Sequence, residues 1–359
     1  MKLRPPVPLL VVAAALVTVV LVASAASPSR ERLTAEIERW VAYVRDNPSQ
    51  DPVWLQVKES SGPAIERARQ ALRDDRLLVA LNRLASARTY LAGSAWVAAL
   101  PARDSAAFEA EWTRLGRELG AAPTARALEG VRPAAVRAIG EVALPQARTY
   151  HDASLEYGRN TMADYGLLYL GAAEAQRTFV AFVRKLEWES PLPPPPIRAL
   201  DAELAALRAE MLAVYRPPVS IDRHAEFIGA HSTLNEAAEL NAAGLHHGAL
   251  LRYLQASLRF APLRPAPPPI ARAALDARLR ELTQQLDRAR IDHSLGYLFL
   301  ESAAAELALV EADSTPPGSA AIATDVLPRY LAALAPAPPL VAKAKPAEVT
   351  VTLVRWPYT

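Results

Sequence analysis

The sequence predicts an all-α protein built from antiparallel helical hairpins. Alanine, leucine, arginine and glutamate dominate the segments between prolines, a composition that favours helices. Within those segments apolar residues recur at helical spacing, and β-branched runs are scarce outside the two termini. Two arrangements remain open: an irregular bundle of long hairpins and a degenerate solenoid of stacked repeats. An N-terminal signal or anchor helix and an extended C-terminal tail complete the prediction.

The N-terminal segment, residues 1–27, predicts export from the cytoplasm. Lys2 and Arg4 precede an apolar run, and Ala23-Ser24-Ala25 has the small-x-small form of a signal peptidase site. Cleavage there would release a periplasmic protein. Residues 8–26 are also near the roughly 20 residues that span a bilayer, so an uncleaved inner-membrane anchor is the second interpretation. Either interpretation places the rest of the chain outside the cytoplasm.

Three helical regions are predicted to follow. The first covers residues 28–120 and contains amphipathic helices, one of which should begin at Pro63, because proline suits a first helical turn. The second, residues 121–190, is a long hairpin whose first helix contains Pro145. The third, residues 191–334, begins with an extended proline-rich spacer.

The third region is predicted to contain several shorter helices. Asp292 should cap one of them, and Ser319 should cap the last, since both residue types are favoured at the first position of a helix. Residues 335–359 differ in kind: a proline-rich linker leads into an alternating β-branched stretch typical of a single strand. That stretch could add to a partner's sheet or pack on the helices.

Residues 230–263 form the clearest hairpin. Gly244 suits a C-terminal cap because glycine tolerates a left-handed backbone, and Pro262 should end the second helix. The second helix has a small residue, a large one four positions later and an alanine three after that, at Ala249, Tyr253 and Ala256. This stretch resembles a tetratricopeptide repeat, which implies a concave surface that binds protein or peptide. It departs from the family pattern in the first helix, where Thr233 stands for the usual tryptophan.

Composition excludes several classes of function. Without Lys2 and Arg4 the chain has 38 basic and 38 acidic residues, so it lacks the basic surplus of a nucleic-acid-binding protein. It has no cysteine, which excludes disulfides and thiolate metal sites. His224 and His231 share a helix face, but His246 should lie roughly 15 Å along the axis from His231. No metal site, cofactor or catalytic residue is predicted.

Tyrosines on the long hairpin form the best candidate binding site. Tyr150 and Tyr157 share one helix face, Tyr165 and Tyr169 share another, and the two helices should pack antiparallel near Gly158. A ligand pocket is one interpretation, and ordinary packing with the hydroxyls reaching water is the other. The full set of candidate binding residues is Tyr150, His151, Tyr157, Tyr165, Tyr169 and Tyr253.

These observations favour an exported, non-enzymatic scaffold or accessory subunit that binds another envelope or membrane protein. The alternative is a helical periplasmic ligand-binding protein that uses the hairpin from Tyr150 to Tyr169. No oligomeric state is predicted.

Overall fold

The computed structural model describes residues 28–120, 128–158, 163–186, 188, 190, 192–216, 221–265, 270–311 and 314–334. Over these ranges all regular secondary structure is helical, so the predicted all-α class is confirmed. None of the helices within them is both long and apolar enough to cross a membrane. The predicted signal or anchor segment, residues 1–27, and the predicted strand in residues 335–359 lie outside the described residues.

The helices follow one another with short connections. They are α1 (Pro28–Asp46), α2 (Pro52–Arg73), α3 (Leu77–Ala98), α4 (Ser105–Gly120), α5 (Ala134–Gly158), α6 (Ala163–Arg184), α7 (Asp201–Val214), α8 (His224–Ala242), α9 (His246–Phe260), α10 (Arg272–Arg288), α11 (Ser294–Leu307), α12 (Pro317–Ala321) and α13 (Leu327–Leu334). The described residues of the proline-rich spacer up to Pro196 are non-helical, as predicted, and the non-helical stretch continues to residue 200, before α7 begins at Asp201.

The long hairpin of α5 and α6 lies at the centre of the molecule. The hairpin of α2 and α3 packs against it through α3 on α6, and the hairpin of α8 and α9 packs through α9 on α5. One continuous hydrophobic cluster extends from Leu33 to Ala333 and includes residues of all three predicted helical regions. The two flanking hairpins therefore share one hydrophobic core with the central hairpin.

The central crossings depend on glycine pairs. A Cβ atom added to Gly171 on α6 would lie 2.5 Å from the carbonyl oxygen of Gly93 on α3. One added to Gly166 on α6 would lie 2.6 Å from the Cα of Gly158 on α5. Because no real Cβ comes so close to another atom, these helix backbones can pack at this short distance only where the facing residues on both helices are glycines.

The hairpin predicted for residues 230–263 is present. Gly244 has φ +74°, and Leu245 N–H donates to the Leu240 carbonyl at 2.9 Å, which closes the end of α8. After α9 the chain forms a short 3-10 turn over Ala261–Leu263, which contains the predicted stop, Pro262. Ala249, Tyr253 and Ala256 are all buried in the hairpin, so the pattern behind the tetratricopeptide resemblance faces the core.

Two predicted helix starts are wrong. Pro63 lies inside α2, which begins eleven residues earlier at Pro52, where Asp51 accepts hydrogen bonds from Val53 and Trp54. The buried face of α2 continues through Pro63, so tertiary packing overrides the lost backbone hydrogen bond.

Ser319 is not the cap of the last helix either. Its hydroxyl donates to the carbonyl of Ala303 across the core, while Pro316 takes the capping position. The last helical segment includes a π turn at Ile322–Val326 just before Pro328. Pro328 has no N–H to give the Thr324 carbonyl, and the wider turn, in which Leu327 donates to Ile322, accommodates that loss.

Two buried carboxylates join distant helices by capping their N-termini. The N-cap of α11 is His293 and not Asp292 as predicted. From one residue earlier, the Asp292 carboxylate accepts from the Ser294 N–H at 2.9 Å and also from the Ala134 N–H at the start of α5 at 2.6 Å. Glu141 on α5 accepts from the Gly248 N–H at the start of α9 at 2.8 Å. A negative charge at a helix N-terminus is favourable. These contacts fix α5 relative to α9 and α11, two of the helices that pack on it from the third region.

The carboxyl group of Glu301 on α11 makes stability depend on pH. Burial raises its pKa to about 7, although Arg76 lies near, and one of its oxygens has no hydrogen-bond partner. In the unfolded chain this group ionises near pH 4.5. The folded state therefore holds the proton more tightly between these values, and stability is lost as the pH rises through that window.

Glu301→Gln should remove this loss. We expect the variant and the wild type to unfold with similar free energy below pH 4.5, and the variant to be more stable by about 2 kcal/mol above pH 7.5. Urea unfolding at a series of pH values measures the difference. An offset that is constant from acid to alkaline pH would contradict this explanation.

Candidate functional site

Five tyrosines form one cluster where α3, α5 and α6 meet; we call Tyr90, Tyr150, Tyr157, Tyr165 and Tyr169 the tyrosine cluster. The rings of Tyr90, Tyr150 and Tyr169 lie edge to face, with centroids 5.9–6.5 Å apart. Tyr157 stacks on Tyr169 at 4.8 Å and lies 6.5 Å from Tyr165. A continuous chain of ring contacts, from Tyr150 through Tyr169 and Tyr157 to Tyr165, therefore joins all four tyrosines predicted from the long hairpin. Tyr90, on α3, was not predicted.

Helical spacing and the glycine crossing explain the cluster. Tyr150 and Tyr157 are seven positions apart on α5, and Tyr165 and Tyr169 are four apart on α6, so each pair lies on one face. The close approach of Gly158 and Gly166 then brings the two faces together at the end of the hairpin.

The hydroxyls of Tyr150 and Tyr169 remain protonated at neutral pH. Burial raises the pKa of Tyr150, and its neighbour Tyr90 raises it further. Burial and hydrogen bonding to Tyr157 also raise the pKa of Tyr169. A neutral phenol both donates and accepts hydrogen bonds. The cluster is thus equipped to hold polar groups rather than to act as a base or a nucleophile.

The cluster separates two cavities. On one side is an outer groove of about 240 Å³, lined by Tyr90, Tyr165 and Tyr169 together with Gln56 and Ser60 of α2. The hydroxyl of Tyr165 donates to Gln56 Oε1 at 3.0 Å. On the other side is a polar cleft of about 230 Å³, of which Tyr150 forms one wall.

The polar cleft lies where the three hairpins meet. Helices α3, α5, α6, α8 and α9 all contribute to its lining. Ligand pockets in helical bundles commonly form between helices in this way. Its polar side chains are Asn82, Ser86, Thr89, Gln146, Tyr150, Gln176, Glu236, Arg252, Gln255 and Arg259.

Hydrogen bonds and one ion pair connect seven of these side chains, all except Ser86, Tyr150 and Arg259, into a belt around the cleft. Gln176 is buried and donates from Nε2 both to Thr89 Oγ1 at 2.8 Å and to Gln146 Oε1 at 3.1 Å. Gln146 in turn donates to Glu236 Oε2 at 3.2 Å. This half of the belt crosses from α3 to α8 over the central hairpin.

The other half of the belt contains an ion pair. Arg252 Nε lies 3.0 Å from Glu236 Oε2, and Arg252 Nη1 donates to Gln255 Oε1 at 2.8 Å. Gln255 then donates to Asn82 Oδ1 at 3.4 Å, which returns the belt to α3. Burial lowers the pKa of Arg252, and the charge of Glu236 opposes that effect. A polar belt inside an apolar bundle is costly unless every member finds a partner.

Two predicted binding residues lie outside this site. His151 faces the opposite side of α5, where it stacks on Trp112 at 4.8 Å and its Nε2 atom lies 2.9 Å from the Trp112 carbonyl oxygen. Tyr253 faces α13, and its hydroxyl accepts from Arg329 at 3.1 Å. Both side chains are buried in contacts of their own and do not reach the cleft or the outer groove.

Apart from Tyr150, the polar side chains of the cleft were not predicted as a site, although the sequence contains a signal. Gln176 is three or four positions from Ala172, Ala173, Phe179 and Val180, so it interrupts a buried stripe. A polar residue at such a position needs a buried partner. The identity of that partner depends on which helix packs against the stripe.

No group of three or more histidine, aspartate or glutamate side chains that could hold a metal ion occurs within the described ranges. Comparison with protein-family models, with curated proteins and with solved structures found no match to this chain. The geometry of the cleft and the tyrosine cluster is therefore the basis for assigning a function.

Proposed function

We propose that this chain is a non-enzymatic helical binding protein of the cell envelope, and that its ligand is a small polar molecule held in the polar cleft against the tyrosine cluster. The observation that carries the proposal is the partly buried polar belt, which lines a cavity next to Tyr150 of the tyrosine cluster. Export to the envelope is supported by the predicted signal or anchor in residues 1–27.

The composition of the cleft supports binding without catalysis. The polar side chains that line it are amides, hydroxyls, the pair of Arg252 and Glu236, and Arg259. Burial raises the pKa values of Tyr150 and Tyr169. Catalysis by acid and base requires a group whose pKa lies near the working pH. Within the described lining, the charged groups are arginines and a glutamate paired with one of them.

Gln176→Leu tests the proposal. The variant removes the donor that holds Thr89 and Gln146 in place, and leucine is of similar size. We expect at least one compound from a panel of monosaccharides, nucleosides, organic acids and amino acids to raise the thermal unfolding midpoint of the full chain. The same compound should bind the variant at least tenfold more weakly, the usual effect of losing a buried hydrogen-bond network.

Gln284→Leu on α10 is the matched control, since its side chain is exposed and does not line the cleft. It should bind the compound as the wild type does. A panel in which no compound stabilises the wild type, or a compound that stabilises Gln176→Leu equally, would contradict the proposal.

An envelope scaffold is a second candidate function. The observation that favours it is a set of apolar side chains exposed around the connection between α7 and α8: Leu212, Ile221 and Ile228 are 56%, 60% and 49% exposed. Exposed apolar patches often mark protein contacts. An envelope protein that co-purifies in stoichiometric amount, together with a negative result from the compound panel, would favour the scaffold.

A further inference from the structure

The ion pair in the wall of the polar cleft restricts the charge of the ligand. Arg252 and Glu236 have opposite charges, 3.0 Å apart, and both line the cavity. The arginine side chain is 16% exposed and the glutamate side chain 36% exposed, so the arginine lies deeper. The Nε–H of Arg252 is buried and points at no acceptor with hydrogen-bond geometry, although the glutamate is close. The pair is therefore close but poorly aligned.

Each class of ligand charge affects this pair differently. An anion that binds Arg252 displaces Glu236 and leaves that carboxylate without its partner, while a cation does the reverse to the arginine. Leaving one member of a partly buried pair alone is strongly unfavourable. A neutral ligand leaves the pair intact but uses neither charge. A ligand with one group of each sign can enter between the two side chains and satisfy both.

The size of the cleft restricts the ligand further. Its volume of about 230 Å³ equals that of roughly eight water molecules and is below the usual range of pockets for drug-sized compounds. The space therefore suits a molecule of about the size of a free amino acid.

We propose that the polar cleft binds a free α-amino acid as its zwitterion. This inference rests on the proposed binding function and names its ligand class. The ligand carboxylate lies against Arg252, whose unaligned Nε–H supplies the donor. The ligand ammonium lies against Glu236, and the ligand side chain points towards Tyr150 and the other rings of the tyrosine cluster. The amide belt holds the two charged residues in position from both sides.

The surroundings of the pair support this orientation. Glu236 also accepts from Gln146, and Arg252 also donates to Gln255, so each charged side chain has a second support when the pair opens. Arg259 lines the same cleft and adds a positive charge, which further favours the carboxylate on the α9 side.

Isothermal titration of the full chain in mild detergent with each protein-forming L-amino acid tests the inference. We expect at least one amino acid to bind. Its N-acetyl derivative, which lacks the ammonium, and its amide, which lacks the carboxylate, should each bind at least tenfold more weakly.

Variants then assign the two ends of the ligand. Glu236→Gln should weaken the amino acid at least tenfold but leave the weak N-acetyl derivative unchanged, since that derivative has no ammonium to lose. Arg252→Gln should likewise weaken the amino acid at least tenfold but leave the weak amide derivative unchanged, since that derivative has no carboxylate to lose. Glu236 is the more exposed residue, so its variant provides the test if Arg252→Gln does not fold. Arg278→Gln, on α10 and outside the cleft lining, should bind as the wild type does.

The outcomes separate this inference from the proposed function. Binding of a monosaccharide, a nucleoside or a simple organic acid, with no amino acid bound, would overturn the zwitterion and leave the binding protein. Equal affinity for the amino acid and its N-acetyl derivative would overturn the role of Glu236. Absence of binding by any compound would overturn both proposals.

Discussion

Arg88→Leu is expected to lower the free energy of unfolding by about 3–5 kcal/mol, the loss typical of breaking a buried ion pair by removing one partner. Arg88 lies on α3 and is 6% exposed. Its Nε donates to Glu36 on α1 at 2.8 Å, its Nη2 donates to Thr178 on α6 at 3.0 Å, and its Nη1 donates to the carbonyl of Ala175. One guanidinium therefore joins three helices.

The loss has two parts. Glu36, whose side chain is only 11% exposed, loses its buried cationic partner and keeps only Arg39 at 3.4 Å and the Trp40 donor at 2.9 Å. The Ala175 carbonyl loses one of its two side-chain donors and keeps Thr178. Leucine returns some apolar contact with Phe179, over whose ring the guanidinium lies at 5.6 Å, but it cannot satisfy either oxygen. Urea unfolding of the two proteins measures the difference.

Arg103→Leu is the control for this substitution. Arg103 is 41% exposed and pairs with Asp51 at 3.6 Å, so its removal should change stability by less than about 1 kcal/mol. A double variant that also carries Glu36→Gln should recover part of the Arg88→Leu loss, because the carboxylate that has lost its buried partner is then neutral. Equal losses for Arg88→Leu and Arg103→Leu would contradict the ion-pair explanation.

Gly171→Ala should destabilise the protein by about 3 kcal/mol, even though alanine is the better helix former. The new Cβ would lie 2.5, 2.8 and 2.9 Å from backbone atoms of Gly93, and backbone cannot rotate away as a side chain can. Helices α3 and α6 must separate, and this separation would also disturb the contact between Tyr90 and Tyr169. Thermal unfolding measures the first effect, and near-ultraviolet circular dichroism of the tyrosines measures the second.

Gly229→Ala is the matched control, since a Cβ at that position in α8 would meet nothing within 4 Å. There the better helix propensity should stabilise the protein by up to about 1 kcal/mol. If both alanines stabilise, the glycine crossing does not limit the approach of α3 and α6.

Local sequence signals predicted the helices well and some of their starts poorly. Gly244 and Pro262 mark the ends of α8 and α9 because each imposes its own backbone geometry, whatever surrounds it. Pro63 and Ser319 were placed at helix starts by the same reasoning, and the structure has them inside helical segments. A residue that merely permits a helix start does not force one where the apolar face continues.

The sequence predicted only the part of the tyrosine cluster that depends on spacing within consecutive helices. Tyr150, Tyr157, Tyr165 and Tyr169 belong to two consecutive helices joined by a short connection, so their spacing alone brings them together. Tyr90 is 60 residues away from Tyr150 along the chain and joins them only because α3 crosses α6 at a pair of glycines. His151 is next to Tyr150 in sequence but one position around the helix, which turns it to Trp112.

By itself the sequence determined the helical class, the central hairpin and which residues on it share a face, because those properties depend on spacing within one or two helices. Only the tertiary structure determines which residues form the polar belt. Its members come from α3, α5, α6, α8 and α9, and each of them taken alone looks like an isolated polar residue on a helix. Hydrogen bonds between side chains depend on which helices pack together and at what height, and that information is absent from the period of any one helix.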